Sequence, residues 1–297
     1  MTELAHSYAL CQRYARDSQS NFYYCFYLLP RPKRLAMCAL YAFLRRVDDI
    51  GDEISIHGDD RPARLTAFRA SLDRALGGRF EDPLFVALAD TVARFRIPTE
   101  YLYAVIEGVE MDLAGRDYET FADLEQYCHR VASVVGQACI YIWGFTGQRA
   151  VELAGQCGLA FQLTNILRDL REDAARGRVY LPAVDLHRFE YTADELTRGV
   201  VNNRFRALLR FEVERAEAFY RAAAGLHEYL HADGRRIYCA MFRTYHRLLE
   251  KIRRLDGGGS GGRVRLAGWE KLRTAAEAIL LPMRWRYSAA SSGTPVL

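Results

Sequence analysis

An all-α fold is what this sequence predicts, and three observations carry the prediction. Apolar residues recur at three- and four-residue steps along most of the chain, the spacing of one helix face. No run of alternating apolar and polar residues stands out as a strand. Gly and Pro fall between the periodic stretches, at Pro30, Pro32, Gly77, Gly78, Pro98, Gly115, Gly177 and Pro182, where helices stop. The chain has 297 residues, 50% of them hydrophobic and 26% charged, so a sizeable core can be buried.

In chain order, the first long helix is KRLAMCALYAFLRRVDDI (33–50), entered through Pro30 and Pro32. DPLFVALADTVARF (82–95) follows, with its own Pro near the start. LEQYCHRVASVVGQACIYIWGF (124–145) and VELAGQCGLAFQLTNILRDLREDAARG (151–177) read as long buried helices, the second closed by Gly177. FRALLRFEVERAEAFYRAAAGLHEYL (205–230) is a further amphipathic helix. No repeat of fixed period is present. Residues 1–287 are expected to form one all-α domain. DGGGSGG (256–262) has linker composition and is expected as a mobile surface loop between two late helices, and SAASSGTPVL (288–297) as a disordered tail.

Composition narrows the function classes. Net charge is +4 and no Lys/Arg block is long enough for a nucleic-acid tail, so no nucleic-acid partner is expected. Arg far outnumbers Lys, which suits forked recognition of phosphate but also follows from a GC-rich genome. The 7 Cys include no CxxC pair, which argues for reduced thiols in a cytoplasm. The N-terminal stretch lacks the apolar core of a signal peptide. The longest charge-free run, VASVVGQACIYIWGFTGQ (131–148), is marginal in length and polar enough to be a buried helix.

Two acid clusters carry chemistry. RRVDDIGDE follows directly on an apolar run, and helical spacing pairs Asp48 with Asp52, and Asp49 with Glu53. Far downstream, NILRDLREDAARGRVYLP sets Asp169 and Asp173 four apart, with Asn165 one turn earlier. Each cluster ends an apolar helical stretch and carries Arg on an adjacent turn: Arg45 and Arg46, then Arg168 and Arg171. Either cluster alone is commonly a solvated face. Two facing carboxylate pairs would repel unless cations filled the gap, and Mg²⁺ suits carboxylates combined with phosphate oxygens. The physical reading is a diphosphate held between two helices by bridging Mg²⁺ and Arg.

With these residues on the page, the chain resembles the squalene/phytoene synthase family of head-to-head prenyl transferases. SQSNFYYCFYLLP, ALYAFLRRVDDIGDE, YCHRVASVVG and GLAFQLTNILRDLREDAARGRVYLP run in family order. The resemblance implies a helical fold around a central cavity with two facing Asp-rich motifs. It places metal-binding positions at Asp48, Asp52, Asp169 and Asp173, with Asn165 beside them and two or three Mg²⁺ expected. It also implies site-lining Tyr41 and Arg45, diphosphate contacts from Ser18, Ser20, Asn21, Gln162 and Arg168, prenyl-tunnel positions Tyr127, Val131, Val134 and Gly136, and late residues Tyr245 and Arg263. Asn21 departs from the family's usual hydroxyl residue, and the Gly-rich stretch shifts the match at Arg263.

The chemistry so implied is ionisation of one prenyl diphosphate, attack by the double bond of another, and closure to a cyclopropylcarbinyl diphosphate with loss of a proton. Released diphosphate, Tyr41 or Tyr245 is the expected acceptor. The motifs look most like the bacterial hopanoid-pathway enzyme that makes presqualene diphosphate from two farnesyl diphosphates, with continuation to squalene left open. The alternative is phytoene synthesis from geranylgeranyl diphosphate. No Rossmann-type fingerprint supports NADPH use, though family members that use NADPH bind it by other means. Amphiphilic substrates would suit a cytoplasmic protein with peripheral membrane contact, and oligomeric state is not readable. Two other classes compete. HEYLH (227–231) satisfies the zinc-protease pattern, with Glu228 as base and no recognisable third ligand. A noncatalytic isoprenoid-binding protein would not need all four Asp.

Overall fold

The structure is a computed structural model and describes residues 2–18, 22–53, 60–256, 264 and 277. The first helices are α1 (Glu3–Asp17), α2 (Arg31–Asp52), α3 (Arg61–Leu76), α4 (Pro83–Phe95), α5 (Thr99–Leu113), α6 (Phe121–Cys128) and α7 (Val134–Trp143). Those that follow are α8 (Arg149–Ala175), α9 (Ala183–Arg188), α10 (Ala193–Thr197), α11 (Asn203–Ala223), α12 (Leu226–Tyr229) and α13 (Ala232–Leu255). A 3₁₀ segment, Tyr23–Leu28, leads into α2. Among the described residues there is no strand, and a single β-bridge joins Phe145 to Leu230. No described helix is long and apolar enough to cross a membrane.

Local chemistry explains the boundaries. Pro32 stands at the second position of α2, where a missing N–H costs nothing. Thr120 caps α6 and Thr192 caps α10 through reciprocal bonds to Asp123 and Glu195. Gly144 ends α7 at φ 86°, a backbone geometry that glycine adopts without strain.

α8, 27 residues long, is the central strut and packs on α7, α11 and α13. α2 packs against α1, α4 and α5. Two stretches expected as single helices are broken: 205–230 stops at Ala223 and resumes as the short α12, and 124–145 is interrupted by a π-helical turn, His129–Ser133. That turn lies against α8, where a Cβ on Gly158 would come within 2.2 Å of the Ala132 carbonyl and one on Gly136 within 2.5 Å of the Ala154 carbonyl. Both glycines are needed for the close approach. The 7 cysteines are all buried and none is in a disulfide. Most of the Gly-rich stretch and the tail lie outside the described residues.

Candidate active site

A cavity of about 370 Å³ opens between α2, α5, the π turn, α7 and α8, a size suited to enclosing a small molecule. Its deep wall is apolar, with Phe26, Met37, Leu40, Val105, Val109 and Trp143 among its residues. Its polar residues are Tyr41, Arg45, Asp48, Asp112, Tyr127, Gln162 and Asn165. The apolar run of α2 is thus a cavity wall, and the acids at its end mark the mouth.

Asp48 is reached by solvent through the mouth, but protein hems it in on its other sides. That loss of hydration, joined by repulsion from Asp52, Asp49 and Asp112, pushes its carboxyl up to about 7 against the pull of Arg45. On α8, burial and then Asp169 push Asp173 up to about 6. Asp169 is held by both nitrogens of a fork from Arg168, at 2.8 and 2.5 Å. Asn165 gives its Nδ2 to Gln162 at 3.4 Å, while its buried Oδ1 has no hydrogen-bond partner. Carboxylates gathered on two helices, two of them pushed up by burial and by neighbouring acids, and a buried amide oxygen without a donor are the donor set of a hard divalent cation. Mg²⁺ fits these residues.

The other acids of the first cluster are already satisfied. Asp49 accepts from Tyr14 Oη at 2.5 Å and pairs with Arg45 at 2.8 Å; Glu53 pairs with Arg64 at 2.7 Å. Asp48 is the acid of this cluster that lines the cavity. Asp52 is bridged at 3.1 Å by Arg178, which also reaches the Gly51 carbonyl.

Two residues that the sequence reading passed over enter here, Arg178 and Asp112. Asp112 on α5 accepts hydrogen bonds from Tyr127 Oη at 2.8 Å and Tyr180 Oη at 3.0 Å. Burial pushes its carboxyl up while these two donors and then Arg178 pull it back. Only the position of Arg178 in GRVYLP, one turn past Asp173, hinted at its role.

Other expected residues fall as follows. Tyr41, Arg45, Gln162, Tyr127, Val131 and Gly136 line the cavity. Val134 does not: it is buried in the core, and Val135 takes the wall, because Val131 with Val135 and Ala132 with Gly136 keep the four-residue step of one face. Tyr245 lies behind the wall, stacked between Phe22 at 5.0 Å and Phe161 at 4.4 Å. Burial pushes its phenol up to about 12, against Arg168, so it stays protonated and is poorly placed to accept a proton. Ser18 bonds back to the Ala15 carbonyl at 2.7 Å. Ser20, Asn21 and Arg263 lie outside the described residues.

HEYLH does not form a zinc site. α12 ends at Tyr229, and His231 stands in extended backbone as the cap of α13, so the two histidines do not share a helix face. His227 bonds the Ala224 carbonyl at 2.8 Å. Among the described residues, the one group of three ligand atoms within 4.8 Å is Glu217, His246 and Glu250, away from both acid clusters. Glu217 already binds His246 Nε2 at 2.9 Å, and Glu250 pairs with Arg253 at 2.5 Å.

The squalene/phytoene synthase family model matches residues 15–270. The chain belongs to this family. Phytoene synthase of Mycobacterium bovis is 37% identical over 94% of this chain and 92% of its own. 15-cis-Phytoene synthase of Synechococcus elongatus is 34% identical, covering 94% of each. Among solved structures, the squalene synthase HpnC of Alicyclobacillus acidocaldarius superposes with a TM-score of 0.80 at 31% identity, over 86% of this chain and 95% of that one. A dehydrosqualene synthase bound to a ligand superposes at 0.84 with 27% identity, over 94% and 97%. The expected all-α isoprenoid synthase fold is what the molecule has. As a member of the squalene/phytoene synthase family it is a prenyltransferase that joins prenyl diphosphates through a carbon–carbon bond.

Proposed function

We propose that this synthase condenses two farnesyl diphosphates head to head, giving presqualene diphosphate and one free diphosphate. The observation that carries the substrate choice is the reach of the cavity lining along two helices, on α2 from Asp48 to Met37 and on α8 from Asn165 to Ala154. Each is eleven steps of helical rise, about 16 Å. A farnesyl tail has three isoprene units and spans about 15 Å extended, while geranylgeranyl needs about 20 Å. Met37, Trp143, Tyr238 and Met241 supply bulk to the lining. The similar structure HpnC, a squalene synthase, points the same way. A second reading, phytoene from geranylgeranyl diphosphate, is supported by the names of the relatives at 37% and 34% identity.

In this proposal Asp48 and Asp52 from α2, with Asn165, Asp169 and Asp173 from α8, hold Mg²⁺. Bound Mg²⁺ would offset the charge of the departing diphosphate. Arg45 at the rim and Arg168 beside Asp169 add fixed positive charge, and the polar segment 18–21, Gln162 and Arg263 contact phosphate oxygens. Val131 and the other apolar wall residues keep water from the allylic cation. The second substrate's double bond attacks that cation, and loss of one proton closes the cyclopropane. Since Tyr245 stays protonated, the released diphosphate takes that proton. Tyr41 lines the same cavity. The amphiphilic substrates make peripheral membrane contact part of the same reading.

The test is incubation with farnesyl and geranylgeranyl diphosphates and Mg²⁺, with and without NADPH, followed by product analysis. Presqualene diphosphate from farnesyl diphosphate is expected. Preferential consumption of geranylgeranyl diphosphate would overturn the substrate choice in favour of the second reading, and squalene appearing only with NADPH would show that the reaction continues.

A further inference from the structure

We propose that Asp112 is a positioning residue which makes Tyr127, backed by Tyr180, an electron-rich face of the cavity wall for the allylic cation. The inference deepens the prenyl diphosphate reading and rests on it. Asp112 and Tyr127 both line the cavity, and Asp112 is close enough to Asp48 to affect its carboxyl. The allylic carbon is left positive where diphosphate departs, which is at these acids.

Both carboxylate oxygens are committed: Oδ2 accepts from Tyr127 Oη at 2.8 Å and Oδ1 from Tyr180 Oη at 3.0 Å. The two phenol protons therefore point at Asp112, and the oxygen lone pairs point elsewhere. The rings lie nearly parallel, Tyr127 on Tyr180 at 5.3 Å and 21°, and Tyr180 on Tyr118 at 6.0 Å and 22°. A phenol that donates to a carboxylate gains electron density in its ring, and its face attracts a cation more strongly. The three rings come from separate segments: Tyr127 from α6, Tyr118 just before it, and Tyr180 just after α8. Asp112 accepts from Tyr127 and Tyr180 at once, and the two phenol oxygens also lie within a long hydrogen bond of each other at 3.4 Å. Arg178 couples the same network to Asp52.

The test compares Asp112→Asn, Tyr127→Phe and Tyr180→Phe with the parent, using farnesyl diphosphate and Mg²⁺. Readouts are kcat and KM for diphosphate release, the share of turnover ending as farnesol, and thermal midpoint. Asp112→Asn keeps the shape, loses the charge, and can accept from only one phenol. Its kcat is expected to fall about tenfold or more with KM within about threefold, and its farnesol share to rise. The loss in Tyr180→Phe is expected to shrink in the Asp112→Asn background, because the two act through one network. A parent that consumes no prenyl diphosphate overturns the underlying reading. An active parent whose Asp112→Asn variant keeps its kcat and product ratio overturns the inference. So does a loss confined to KM and thermal midpoint, the pattern of a purely structural contact.

Discussion

The side-chain oxygen of Asn165, buried and without a donor, sits one turn before Asp169 on the helix that faces Asp48. Residues like these cost stability while they wait for a cation. Asp173 is pushed up to about 6 by burial and by Asp169, so removing its charge relieves the folded protein. Asp173→Asn is expected to raise the thermal midpoint in EDTA and to lose the further rise that Mg²⁺ gives the parent, with thermal scans as the check. A further buried acid, on α11, contributes to the pH response of stability. Glu212 is buried beside Arg215 and Asp185, and burial pushes it up to about 7. Its folded state therefore holds a proton that the unfolded state releases earlier. The associated stability is present at low pH and is lost as pH rises towards about 7. Urea midpoints measured from pH 5 to 8 should show that falling limb in the parent and a flatter one in Glu212→Gln. At this scale the sequence was informative about Asp48 and Asp173, whose partners sit four residues away. Asp112 was illegible, because VEMDLAG sets it two residues from Glu110, off the four-residue spacing of the other clusters, and only packing of α5 beside α2 brings it to the cavity.

At the scale of elements, the contact of the π turn with α8 shapes the wall. A Cβ on Gly158 would meet the Ala132 carbonyl, which is backbone and cannot swing aside. Gly158→Ala is expected to cost about 1–3 kcal/mol and to reduce activity by displacing Val131 and Val135, read by urea denaturation and by kcat. Helix periodicity made α2 and α11 readable, since each is long and has one apolar face; α8, buried on several sides, was readable from its length and its apolar stretch. It could not reveal the π turn, because one widened turn leaves the apolar pattern of 124–145 continuous. The same limit explains Val134, which matched the tunnel by motif position but faces the core. HEYLH misled for the converse reason: five residues imply a helix, and the chain turns extended between Tyr229 and His231.

At the scale of the whole molecule, α2 and α8 face each other across one cavity, with acids at one end and bulky apolar side chains along its depth. Met37 stands at the end of the α2 wall opposite Asp48. Met37→Ala is expected to lengthen the tunnel and raise kcat/KM for geranylgeranyl diphosphate by about tenfold relative to farnesyl diphosphate, from competition between the two substrates. The facing of the two motifs was foreseeable from their resemblance to each other; the depth between them was not, since it depends on how the helices are inclined and how deeply Trp143, Tyr238 and Met241 reach inward. The central claim is that these facing acids drive Mg²⁺-dependent loss of diphosphate from farnesyl diphosphate. It is tested most directly by measuring diphosphate release and product together, in the parent and in Asp48→Ala. The account predicts presqualene diphosphate, one diphosphate released for every two farnesyl diphosphates consumed, and release reduced by about a thousandfold or more in Asp48→Ala. Undiminished release in Asp48→Ala or in EDTA, or no consumption of farnesyl diphosphate by the parent, would contradict it.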